Sequence, residues 1–136
     1  PEQTITYLSN LDLKKAPVSL VVLWADAQMA KKNHQLVLST LARLTAENTN
    51  LEDAILLRLA QAEKIENQSD KWQEKMRKRV ILRERRQDTY HASDLALYYL
   101  TLDKNNVKAK YWAEMNWQQA KLDSDKKLLA LTNTSN

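Results

Sequence analysis

Two histidines, four tryptophans, five tyrosines and no cysteine set the limits on chemistry in this 136-residue chain. Without Cys there is no thiolate nucleophile, no thiolate metal site and no disulfide. Without a single Gly there is no phosphate-cradling loop and no dinucleotide fingerprint, since both need a backbone that a Cβ would block. His34 stands at the start of a helix with no acidic neighbour, which reads as a surface residue rather than a ligand. His91 is better supplied, with Asp88 and Asp94 three residues to either side and Arg83 and Arg86 close upstream. Arg86, Asp88, His91 and Asp94 are one helical face apart and can form a hydrogen-bonded cluster. One His and two carboxylates make an incomplete ligand set, so the cluster reads as a structural staple, with no catalytic residue, metal or cofactor assigned.

The second candidate is a basic segment. Residues 69–91 hold eight Lys and Arg against four Asp and Glu, so the formal charge of +4 is all accounted for there. Lys71, Lys75, Arg77, Lys78, Arg79, Arg83 and Arg86 are the patch an anionic surface or nucleic acid would meet. They point in several directions rather than along one stripe. Glu74 can neutralise Lys78 one turn on, and only Trp72 and Tyr90 flank the segment for stacking on bases. These features argue for a solvated face and against nucleic acid, with anionic-surface binding kept as the alternative function.

All these groups must be carried on helices. Ala, Leu, Lys, Glu, Gln and Arg dominate, the only prolines are Pro1 and Pro17, and glycine-dependent hairpin turns are ruled out. The expected class is all-α, as stacked antiparallel helical hairpins of six or seven helices. A short helix through Ile5, Leu8 and Leu11 is expected to end near Asp12. The next opens after Pro17 and runs to about Lys31, apolar round nearly its whole circumference, with Asn33 as left-handed cap. Further helices are expected over 34–46 and 51–66, the latter capped by Asn50, and over 70–87, capped by Ser69. The last three are expected over 90–102, 107–121 and 125–131, with 132–136 as a frayed tail. No apolar run approaches a membrane span.

The chain is weakly repetitive. Residues 55–67 (ILLRLAQAEKIEN) echo 21–33 (VVLWADAQMAKKN) at an offset of 34, and 100–106 (LTLDKNN) echo 44–50 (LTAENTN) at 56. The hairpins so defined are about 17–47, 51–103 and 106–131 of one domain, 1–136, and the middle hairpin is enlarged by the basic segment.

At 100–106 the chain resembles the inter-repeat joint of the tetratricopeptide repeat, Leu-x-Leu-Asp-Pro-x-Asn, with Lys104 in place of Pro. In that register Ala92, Ala109, Tyr111 and Trp117 match the family's small and aromatic positions. Glu114 stands where the family has Gly and Tyr99 where it has Ala, so the resemblance is to a degenerate, distorted repeat. Residues 54–60, 86–91 and 116–120 also resemble phrases in the C-terminal section of exported bacterial multi-repeat proteins of unassigned function. That resemblance implies a fragment of a longer protein, with further repeats and a signal preceding Pro1, and a periplasmic or exported location, with the cytoplasm as the alternative. The family resemblance implies a right-handed superhelix and a scaffold that binds a protein or peptide without enzymatic activity. Its concave face is built from the first helix of each pair, which points to Glu52, Leu59, Glu63, Tyr111, Met115, Gln118 and Gln119 as partner contacts. Most of the crowd formed by Tyr98, Tyr99, Tyr111, Trp112 and Trp117 is then core between hairpins.

Overall fold

In the computed structural model, residues 12–46 and 51–134 are described. The fold is all-α, as the composition predicts. In chain order the elements are α1 (Val18–Ala30), α2 (His34–Leu44), α3 (Asp53–Glu66), α4 (Lys71–Arg85), a 3-10 turn (Thr89–His91), α5 (Ala92–Thr101) and α6 (Asn106–Thr134). The chain divides into two compact units, 1–81 and 82–136, with the division inside α4. The expected helix through Ile5, Leu8 and Leu11 and the Asn50 cap lie outside the described residues.

The first unit is built around α3. Leu56, Leu57, Leu59, Ala60 and Ala62 are buried, as are the polar Asp53, Arg58 and Glu63, so α3 is covered on nearly every side. Each fully buried Leu contributes about 2 kcal/mol by leaving water. The all-round burial expected of α1 therefore belongs to α3. α1 buries Val21, Trp24, Ala25, Ala27 and Gln28 and leaves Val18 and Leu23 exposed. α2 contributes Val37 and Leu41. Arg58 spans from α3 to α1, its Nε and Nη2 donating to the two oxygens of Asp26 at 3.0 and 3.1 Å.

α4 lies against α3 in the opposite sense, tied at both ends. Its start meets Glu63 near the end of α3, and Arg79 reaches back to the start of α3. Met76 and Val80, one turn apart, are its buried residues. α3 begins at Asp53, with Glu52 in the cap position and no side-chain cap. At the start of α4 the N–H groups of Trp72 and Gln73 go to Glu63, to which the Ser69 hydroxyl also donates at 2.7 Å.

The second unit is a hairpin of α5 and α6 with the 3-10 turn set against α6. Leu95, Ala96, Tyr98 and Tyr99 from α5 meet Ala109 and Trp112 from α6 in its core. The break expected between 121 and 125 is absent: α6 is one helix of 29 residues, so 106–131 is not a hairpin and 132–134 continue the helix. Asp123 and Ser124 are only mild helix disfavourers, and neither Gly nor Pro stands there to stop propagation.

A chain without Gly must turn its helix ends with other residues. Lys32, Asn67, Gln87 and Lys104 all have positive φ, between 51 and 65°. Lys32, not Asn33, takes the left-handed position after α1, and Asn33 N–H then donates to Gln28 O at 2.9 Å. Lys104, at φ 53°, has a conformation that Pro cannot adopt.

Candidate interaction surface

The polar cluster forms in the second unit with one change of membership. Asp88 Oδ1 accepts the backbone N–H groups of Tyr90 and His91 at 3.0 and 3.3 Å and so caps the 3-10 turn. Asp88 Oδ2 lies 2.9 Å from His91 Nδ1 and 3.4 Å from Arg83 Nη1. Of the two upstream arginines, Arg83 joins the cluster, while Arg86, also expected in it, has an exposed side chain just past the end of α4. Asp94 is half-buried in the first turn of α5. Among the described residues no group of three or more His, Asp and Glu is disposed to hold a metal ion. The cluster's chemistry is that of a cap holding the α4–α5 connection.

The basic residues are similarly engaged. Arg79 Nη1 donates to Asp53 Oδ1 at 2.6 Å and to Leu51 O at 2.7 Å, with the Asp53 side chain almost completely buried. Arg77 pairs with Glu74, and that hydrogen bond holds the exposed Glu74 carboxyl below its usual range. Lys71 and Lys75 place their ammonium groups 4.7 and 5.0 Å from the Trp72 ring, where the π face attracts them. Lys78 is exposed.

Of the residues expected to meet a partner, Leu59 and Glu63 are fully buried and cannot line a binding face. Glu63 instead accepts from the backbone N–H groups of Trp72 and Gln73, the Ser69 hydroxyl and the Gln73 side-chain amide. Burial pushes its carboxyl up, and the four hydrogen bonds outweigh that and hold it below 4.5. Glu52 is exposed at the rim of a cavity of about 680 Å³ in the first unit, walled by Val21, Leu41, Leu51 and Ile55, with Lys14 and Arg43 also lining it.

The remaining four lie on α6. Gln119 turns inward, accepting from Thr89 Oγ1 at 3.5 Å and donating to Asp123 at 3.4 Å. Tyr111 and Gln118 are exposed and Met115 is half-buried beside them. The rest of this face was not singled out in the sequence. Val107 is 81% exposed, Tyr111 54%, Leu122 55% and Leu128 62%. Trp117, also exposed, falls within about 20° of Leu128 around the helix and borders the same face, while Trp112 is buried against α5. No family model matches the chain, and no curated protein or solved structure matches it.

Opposite this face Ala109 and Trp112 pack α6 onto α5, and a second tie runs from the flank of α6 to Glu84 and Tyr99. Tyr99 donates its hydroxyl to Glu84 Oε1 at 2.7 Å, and Lys108 Nζ lies 3.8 Å from Glu84 Oε2 and 5.2 Å from the centre of the Tyr99 ring. Burial, reinforced by the Glu84 carboxylate, raises the Tyr99 phenol far above its usual value, so it stays a neutral donor. Tyr98 and Tyr99 meet edge to face at 5.0 Å. With α5 ten residues long and α6 twenty-nine, the hairpin partner covers only part of α6. Every residue of 120–130 whose exposure is described is exposed.

Proposed function

We propose that this chain is a helical scaffold of degenerate tetratricopeptide-like hairpins that binds protein through the uncovered face of α6. The observation that carries the reading is the run of exposed apolar side chains on α6, Val107, Tyr111, Leu122 and Leu128, on a helix whose other side is anchored in a packed core. A face of this kind, apolar side chains set among charged and polar ones on a regular helix, suits a partner helix or peptide laid along it, and it needs no reactive group. The engaged state of His91 and of most of the basic residues supports a binding role over a catalytic one.

The test is quantitative capture by the immobilised 136-residue chain, compared with Tyr111→Glu and Leu122→Glu. Both positions are exposed, so helical content should be unchanged while specific capture falls by tenfold or more, about 1.4 kcal/mol. A captured set identical for wild type and both variants rules the α6 face out.

A further inference from the structure

We infer that the partner for this face is a second copy of the chain, with the two α6 helices antiparallel. The inference rests on reading α6 as the binding surface. Lys108, Tyr111, Met115, Gln118, Leu122 and Asp125 follow one another at alternating spacings of three and four, the seam of a two-helix coil. Beside it runs a second stripe at seven-residue intervals, Val107, Glu114, Lys121 and Leu128, all exposed.

Both stripes are complementary to themselves when reversed. With Met115 of one copy opposite Gln118 of the other, Tyr111 meets Leu122 and Lys108 meets Asp125. In the flanking stripe Val107 then meets Leu128, and Glu114 meets Lys121. Acid faces base and apolar faces apolar at every layer but the central one, and the two-fold axis makes each contact twice. A parallel pairing would instead set Lys108 against Lys108 and Asp125 against Asp125, which the charges oppose. The exposed ammonium of Lys108, loosely held by Glu84, remains available at the end of the seam.

Twenty residues of helix give a contact about 30 Å long. Its area falls near the lower end of specific interfaces, about 1,000 Å² in total. Area alone does not set affinity; with half of the seam polar a weak dimer is expected, largely monomeric near ~1 μM and associated near ~100 μM.

Sedimentation equilibrium of the full chain tests it. Glu114→Lys and Lys121→Glu should each weaken self-association at least tenfold with unchanged circular dichroism. An equal mixture of the two variants should associate again, because their charges are then opposite across both contacts. The double variant Glu114→Lys/Lys121→Glu should also recover. A wild type that stays monomeric at several hundred micromolar overturns the inference, as does association indifferent to single charge reversal or unrescued by mixing. If the wild type is monomeric yet captures another protein in a manner lost with Tyr111→Glu, self-pairing fails while the binding surface stands. If capture is also unaffected, both fail.

Discussion

Glu63, near the end of α3, accepts the backbone N–H of Gln73 at 2.9 Å, so the first turn of α4 is capped by a buried side chain of the preceding helix. The same carboxylate takes the N–H of Trp72 at 3.0 Å. A negative charge at a helix N-terminus is favoured by the free N–H groups and the helix dipole. Replacing it with Gln turns one acceptor into a donor aimed at N–H groups.

Glu63→Gln should therefore cost about 2–3 kcal/mol at neutral pH, read as a lowered midpoint in urea. The pH dependence has a definite sign. The folded carboxyl ionises below the ordinary value of 4.5, so its contribution is complete above that pH and is lost as pH falls through the folded value. The stability difference between wild type and Glu63→Gln should therefore shrink as pH falls through the folded value.

The capping role shows what a sequence hides. The helix class, the Pro17 start and the Asp88–His91 pair were legible, because period, proline and an i,i+3 spacing are local signals. Glu63 carried no such signal: it falls on a helical period shared with Leu59, and only the antiparallel approach of α4 gives it its donors. Ser69 stands in the position of a cap, yet the N–H groups of Trp72 and Gln73 go to Glu63, which the Ser69 hydroxyl also meets. The continuity of α6 was missed for the opposite reason, since Asp123 and Ser124 are polar enough to suggest a break but too weak to make one. Its exposed stripe went half-seen because Val107, Leu122 and Leu128 look like ordinary core residues until the shortness of α5 is known.

Arg79 and Arg77 offer a contrast two residues apart. Arg79→Ala leaves the buried Asp53 without that guanidinium and should cost about 2–4 kcal/mol. Arg77→Ala removes a pair with the exposed Glu74 and should leave the melting temperature unchanged. Thermal melts of the two variants side by side check the distinction.

Tyr99→Phe removes the hydroxyl bonded to Glu84 and should cost about 1–2 kcal/mol. The raised phenol value means that Tyr99 contributes fully below the ordinary Tyr range and is lost only as pH rises through the folded value. In an ultraviolet titration of the native protein, Tyr99 should remain un-ionised near about pH 11. The Phe variant should lose that protected chromophore.

Left-handed positions filled by side chains with a Cβ are an unclaimed reserve of stability. Gln87→Gly and Lys104→Gly should each raise stability by up to about 1 kcal/mol, since Gly takes a positive φ without steric cost. Lys104→Pro, the residue of the resembled family, should instead destabilise by about 3 kcal/mol, because φ 53° is closed to it. Chemical denaturation of the three variants separates these outcomes.

The central claim, that the uncovered face of α6 is a binding surface, is tested most directly by amide hydrogen exchange across residues 106–130. Exchange is compared between dilute chain, concentrated chain and chain with captured protein. The account predicts slowed exchange across 107–128 in at least one associated state, absent when Tyr111 and Leu122 are both Glu. Equal exchange across α6 in all three states, with protection arising elsewhere in the chain on capture, contradicts it.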